Sequence, residues 1–142
     1  MDVSLVRSSM DHEIPIKYIE RFYIFDYGGP IVVIHIKDQG LIVYKSFSDE
    51  KLIKGMAVVA NLLKRFHGEK FFMYSKYVGV FGWKFIIVCY LIDTRYSAFV
   101  LGYIKRLIRE LDKIDEIFPD MVIKTIVSKF RKSFGFRKLI VI

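Results

Sequence analysis

The order in which apolar runs, turns and helix-patterned segments alternate constrains the fold of this chain more than any other feature. Apolar runs at 31–36 and 41–47 lie on either side of a turn at 37–40, and a segment with helical spacing follows at 49–66. The scheme then repeats as two apolar runs and a second helix-patterned segment, at 71–81, 84–92 and 97–118. This β-β-α-β-β-α order predicts an α+β fold in which antiparallel strands pack against helices.

The segment before the first glycine pair decides how many strands we expect. Residues 16–27 fit either a short helix or a strand, and the Phe, Tyr and Ile residues within 21–26 favour the strand. With that strand, the sequence predicts five strands in all. Gly79 is expected to mark a bulge or a break in the run 71–81.

Polar residues and a proline mark the expected helix ends. Ser48 is the predicted N-cap of the first helix, and Gly68 suits the position just after its end. Pro119 ends the second helix and suits the first turn of an extra C-terminal helix at about 120–133. A chain of this length suits one domain, 1–142.

The two ends of the chain have little periodicity. Residues 1–13 are polar and mixed, so we expect them to fray. Residues 119–142 are expected to form the C-terminal helix and a basic tail. Within that tail, 136–142 is either a last short strand or disordered.

The composition favours a cytoplasmic protein that associates with itself. Apolar residues make up 54% of the chain and the mean hydropathy is +0.33, which is high for a small soluble monomer. We therefore expect apolar surface that a second copy of the chain would cover. No uncharged stretch approaches the roughly 20 residues of a membrane span, and the N-terminus lacks the pattern of a signal peptide. The single cysteine fits the cytoplasm. The scarcity of Asn and Gln indicates a thermophile, and an AT-rich genome is the alternative explanation for the many Ile, Lys and Tyr residues.

The first helix carries an apolar stripe that is wider than one packing surface requires. Its central positions Met56, Val59 and Leu63 are therefore the predicted dimer interface, with Val58 and Leu62 at its margin. A homodimer across this helix would bury about 1,600 Å².

The positive charge is concentrated at the C-terminal end. The last 22 residues include six basic and no acidic residues, and the predicted basic surface comprises Lys124, Lys129, Arg131 and Lys132. Phe130 and Phe134 lie between these bases, a pattern that fits weak contact with an anionic membrane or nucleic acid. A solvated helix end without a ligand is the alternative interpretation.

The sequence contains no recognisable catalytic constellation. Phosphate-binding glycine motifs are absent, and the three histidines have no Cys, Asp or Glu at zinc-ligand spacing. His35 and Cys89 lie inside apolar strands, where core packing explains them better than ligation or nucleophilic chemistry. We therefore expect a protein that is not an enzyme, with no cofactor, no metal and no small-molecule substrate.

Three local patterns carry a resemblance to a known superfamily. They are the hairpin at 31–47 ending in an aromatic residue, the acidic helix start Ser48-Asp49-Glu50, and the strand end Tyr90-Leu91-Ile92-Asp93 before a long amphipathic helix. Over residues 29–118 the chain resembles the roadblock/longin superfamily. The extra C-terminal helix is closer to the longin outline, and the choice between the two branches stays open.

The resemblance implies a single five-stranded antiparallel sheet of the ββαβββα type, flanked by helices and without a catalytic centre. Roadblock proteins form dimers through the helix after the second strand and the neighbouring strand edge, and serve as platforms for small Ras-like GTPases. Longin proteins are adaptors in membrane traffic. The expected function is therefore a homodimeric interaction platform that binds or regulates a small GTPase.

Two other classes of function remain as alternatives. A sensor or ligand-binding module of the PAS or profilin-like kind also combines a central antiparallel sheet with flanking helices. A nucleic-acid or membrane-surface binder would act through the basic residues of 121–142.

Overall fold

A computed structural model describes residues 17–38, 40–115, 118–133 and 138–142. Within these residues the strands are β1 (Ile19–Asp26), β2 (Gly29–Lys37), β3 (Gly40–Tyr44), β4 (Phe71–Tyr74), β5 (Tyr77–Phe81), β6 (Phe85–Leu91) and β7 (Lys138–Val141). The helices are α1 (Glu50–Arg65), α2 (Ser97–Asp112) and α3 (Pro119–Ser133), and a 3₁₀ helix at Thr94–Tyr96 leads into α2. The expectation of fraying at 1–13 lies outside the described residues.

The strands form one seven-stranded sheet in the order β4-β5-β6-β1-β2-β3-β7. Every neighbouring pair is antiparallel except β3 and β7, which are parallel. The expected five-stranded antiparallel sheet is therefore wrong, because the sheet is mixed and has two more strands. One additional strand arises from a hairpin within 71–81, and the other is β7.

The run 71–81 forms two strands because the chain reverses at Ser75 and Lys76. Ser75 has a positive φ of 53°, and Tyr74 and Tyr77 pair across the turn. Gly79 marks neither a bulge nor a break, because β5 passes through it in regular register. It leaves room for the Phe72 ring, which would lie 2.2 Å from a Cβ at this position.

β7 extends the sheet beyond β3. Leu139 pairs with Leu41 and Val141 with Val43, in parallel register. Of the two alternatives for this end of the chain, the strand is therefore the one that forms, while residues 134–137 lie outside the described part. All four residues of β7 are exposed.

A side-chain contact closes the β1–β2 hairpin, and a positive φ marks the turn of the β2–β3 hairpin. The Asp26 carboxylate accepts the backbone N–H groups of Gly28 and Gly29, at 2.7 and 2.9 Å, and so closes the β1–β2 turn. In the β2–β3 turn, Asp38 has a positive φ of 50°. Aspartate tolerates this conformation better than most residues because its short side chain can bond locally.

The helices cover the two faces of the sheet. On one face, here called the α1 face, Leu52, Met56, Val59 and Leu62 of α1 pack against strand residues such as Tyr23. On the opposite α2/α3 face, α2 and α3 enclose a larger cluster. Val122, Ile126 and Phe130 of α3 are among its completely buried residues.

The helix ends differ slightly from the expected positions. The N-cap of α1 is Asp49 instead of Ser48, and its carboxylate accepts the N–H groups of Lys51 and Leu52 at 2.8 and 3.3 Å. α2 ends at Asp112, earlier than the expected 118.

The end of α2 also fixes the β5–β6 turn. The Asp112 carboxylate accepts the N–H groups of Trp83 and Lys84 at 2.9 and 3.0 Å, and the Lys84 ammonium donates to the Ile114 carbonyl at 2.6 Å. Trp83 is 85% exposed at the tip of this hairpin. None of the helices described above is both long enough and apolar enough to cross a bilayer.

Candidate functional site

The predicted dimer-interface residues on α1 lie against the chain's own sheet. Val59 is completely buried, Met56 is 8% exposed, and Leu63 is partly buried against the same cluster. The apolar side chains that α1 presents to solvent are instead Ile53 and Val58, each 46% exposed. Dimerisation across α1 stays a prediction, and any such interface would have to include these outer residues.

The predicted basic surface lies along α3. Lys124, Arg131 and Lys132 are exposed, whereas the Lys129 ammonium lies 3.9 Å from a carboxylate oxygen of Glu110 on α2. Phe130 does not belong to this surface, because it is completely buried with its ring 5.1 Å from that of Phe22. Phe134 lies outside the described residues. Because the Phe130 ring is buried, it does not lie between the basic side chains on the surface of α3. It therefore does not favour contact of α3 with lipid or nucleic acid.

The strongest candidate for a contact surface is the outer edge of β4, a site that the sequence patterns did not single out. β4 is the terminal strand of the sheet, and none of its four residues is charged. Phe71, Met73 and Tyr74 are 42, 52 and 42% exposed. Sheet edges in monomeric proteins usually carry charges, prolines or bulges that prevent pairing, or are very short. β4 is short, with four residues, but has no charge, proline or bulge.

The register shows which peptide groups of β4 face outward. The Phe81 N–H donates to the Lys70 carbonyl at 3.0 Å, and the hairpin closes at Tyr74. Peptide groups alternate in an antiparallel ladder, so residues 70, 72 and 74 bond to β5 while Phe71 and Met73 direct theirs away from the sheet. The edge therefore offers two N–H and two C=O groups to an incoming strand.

Ring contacts hold the aromatic side chains of this edge in place. Phe72 stacks on Phe66, with ring centres 4.7 Å apart. The Arg65 guanidinium lies 4.7 Å from the centre of the Tyr74 ring, and the Lys105 ammonium lies 4.4 Å from that of Phe71. The edge is therefore ordered before any partner arrives, which reduces the entropy cost of binding.

A second candidate site is a cavity of about 500 Å³ on the α1 face, near the start of α1. Its lining comprises Glu20, Arg21, His35, Ile36, Lys37, Ile42, Tyr44, Asp49, Lys51 and Leu52. Arg21 pairs across the strands with His35 on one side and Tyr90 on the other. An arginine that alternates with Tyr23 and Phe25 in an apolar strand was the sequence signal for this cavity.

Burial affects the titrating groups in different ways. The pKa of His35 is lowered, first by its removal from water and then by the positive charge of Arg21. Burial raises the pKa of the Cys89 thiol well above its ordinary value, which disfavours the reactive thiolate. Within the described residues, no three His, Cys, Asp or Glu side chains are grouped closely enough to hold a metal.

Comparisons with known proteins give no match at the level of a protein family, a curated protein or a solved structure.

Proposed function

We propose that the protein is a non-enzymatic interaction module that associates with a second copy of itself through the edge of β4. The observation that carries the proposal is an edge strand that is exposed, uncharged and open. Pairing of two such edges would join two sheets into one.

A two-fold axis fits the geometry of this edge. If Phe71 of one copy lies opposite Met73 of the second copy, both outward-facing residues of each strand meet an outward-facing partner. Antiparallel pairing in this register gives four inter-chain hydrogen bonds and uses the same surface on both copies. The exposed apolar side chains of both strands would be covered at the same time.

A four-residue strand alone buries less than the roughly 1,600 Å² of a standard stable interface. Additional area is available beside the edge from the end of α1 and the middle of α2, where Arg65 and Lys105 already contact β4 rings. We therefore expect a dimer with a dissociation constant in the micromolar range.

The first experiment is multi-angle light scattering at about 10 to 100 µM protein, a range chosen around a micromolar dissociation constant. The wild type should have the mass of a dimer, and Met73→Lys should have that of a folded monomer, because a charge at the edge blocks strand pairing. Met121→Lys is the matched control, since Met121 is similarly exposed, at 47%, but lies on α3. A monomeric wild type would overturn the proposal.

The same experiment separates β4 from α1 as the contact surface. Val58→Lys places a charge on the outer side of α1 and should leave the dimer intact. Loss of the dimer in Val58→Lys together with its retention in Met73→Lys would place the interface on the helix instead.

The proposed partner class is a small Ras-like GTPase, and the proposed compartment is the cytoplasm. This part rests on the roadblock/longin resemblance of residues 29–118 alone. Surface-immobilised protein should bind a Ras-like GTPase with an affinity that depends on whether GDP or a GTP analogue is loaded. Absence of binding across a panel of such GTPases would reject the partner class and leave the dimer proposal standing.

A further inference from the structure

Arg21 is a half-buried cation without a carboxylate partner in the described part of the chain. Its Nη1 donates to the Tyr23 hydroxyl at 2.7 Å, and its guanidinium carbon lies 4.4 Å from the centre of the Tyr90 ring. Its Nε is buried and has no hydrogen-bond partner among these residues. A buried donor left without a partner costs about 1–3 kcal/mol, so this arrangement is unfavourable unless something else binds there.

Arg95 shows what the unused side of such a guanidinium can bind. Its Nε and Nη2 both donate to the Asp93 carboxylate, at 2.8 and 2.5 Å. On Arg21 only Nη1 is engaged, so the corresponding pair, Nε and Nη2, makes no hydrogen bond to the part of the chain that the structure describes. This pair has the fork geometry that recognises carboxylate and phosphate oxygens.

The surroundings of Arg21 favour an anion. Lys37 and Lys51 line the same cavity, and so do the carboxylates Glu20 and Asp49. Asp49 accepts two backbone N–H groups at the start of α1 through Oδ1 and makes no ion pair with Arg21. The cavity lining therefore carries three cations and two carboxylates, a net charge of +1.

The remaining walls suit an apolar or aromatic group. The rings of His35 and Tyr44 lie edge to face with centres 5.0 Å apart, and the side chains of Ile42 and Leu52 lie beside them. A volume of about 500 Å³ falls within the usual size range of small-molecule sites.

We propose that this cavity binds a small organic anion, whose carboxylate or phosphate group pairs with Arg21 and whose aromatic or apolar body lies against His35 and Tyr44. The site is separate from the β4 edge and independent of self-association. It also departs from the sequence-based expectation that no small molecule binds.

The test is an NMR titration of the ¹⁵N-labelled full chain with phenyl phosphate and, separately, benzoate, which distinguish the two anionic groups. At least one should cause saturable shifts at the amides of Arg21, His35 and Tyr44, while phenol should not. Arg21→Gln should weaken binding about tenfold or more, because a charge-assisted bidentate contact is lost. Arg106→Gln is the matched control, since Arg106 is exposed on α2, on the opposite face.

Two further variants keep the test decisive if Arg21→Gln fails to fold. Arg21→Lys retains the charge without the fork and should weaken binding, and Lys51→Gln alters only an exposed side chain and should weaken it by a smaller factor. Binding should also raise the pKa of His35, since an anion offsets the charge of Arg21. Absence of saturable shifts with both anions would overturn the proposal, and so would equal binding by Arg21→Lys, Lys51→Gln and the wild type.

Discussion

The two faces of the sheet differ in how completely helices cover them. On the α2/α3 face two helices enclose the strands, and large side chains such as Phe22 and Phe130 are completely buried. On the α1 face a single helix crosses the sheet, and Tyr90, Arg21 and His35 stay half-buried beside it. The α2/α3 face therefore mainly supplies stability, whereas the α1 face leaves polar groups within reach of a ligand.

The largest predicted effect is on the fully enclosed face. Phe130→Ala removes a completely buried ring that packs against Phe22, so it should lower the free energy of unfolding by about 3–5 kcal/mol. Urea denaturation followed by far-UV circular dichroism measures this change. Met121→Ala, on the exposed side of the same helix, should change the free energy of unfolding by less than about 0.5 kcal/mol. Similar losses in both variants would contradict the assignment of α3 to the core.

Replacing one glycine in α1 and one in α2 should change the stability of the protein by an intermediate amount, in opposite directions. A Cβ at Gly55 in α1 would lie 2.6 Å from the Tyr23 hydroxyl, whereas a Cβ at Gly102 in α2 would meet nothing within 4 Å. Gly55→Ala should destabilise the protein by about 1 kcal/mol, because overpacking outweighs the gain in helix propensity. Gly102→Ala should stabilise it by about 0.5–1 kcal/mol.

Thermal unfolding of the two glycine variants provides the measurement. Their midpoint temperatures should shift in opposite directions from that of the wild type. Stabilisation by both substitutions would mean that α1 lies further from the sheet than the contact with Tyr23 requires.

The smallest effect concerns the pH dependence of the α1 face. The pKa of His35 in the folded protein is below its ordinary value of about 6.5, so the unfolded chain binds the proton first as the pH falls. The free energy of unfolding should therefore decrease below about pH 6.5 and show no contribution from His35 above it. Urea midpoints at about pH 7.5 and 5.5 should differ less in His35→Asn than in the wild type. His67→Asn, at an exposed position after α1, serves as the control and should retain the wild-type difference.

Periodicity and turn residues were sufficient to predict much of the architecture. The apolar runs and amphipathic stretches gave the α+β class, the strand in the ambiguous segment 16–27, and all three helices to within a few residues at most ends. The strand count was wrong because the turn at Ser75 and Lys76 has no Gly, Asn or Pro to signal it. The pairing of β7 with β3 depends on contacts between distant segments, which local pattern does not encode.

The candidate sites were less predictable than the fold. Met56 and Val59 form a regular apolar stripe, but the stripe shows only that one side of α1 is buried and does not say whether the sheet or a partner covers it. The exposure of β4 follows from its terminal place in the strand order. The alternation of Arg21 with Tyr23 and Phe25 indicates a polar group in an apolar strand, but the cavity follows only from the neighbouring strands, which place Tyr90 and His35 beside it.

The position of Trp83 determines which optical signals can follow the folding of this protein. It is the only tryptophan, and its indole is already surrounded by solvent in the folded chain. Intrinsic tryptophan emission should therefore be red-shifted in the native state and change little on denaturation, so that it would wrongly suggest an unfolded sample. The same indole would be a sensitive fluorescent reporter of any molecule that covers the tip of the β5–β6 hairpin.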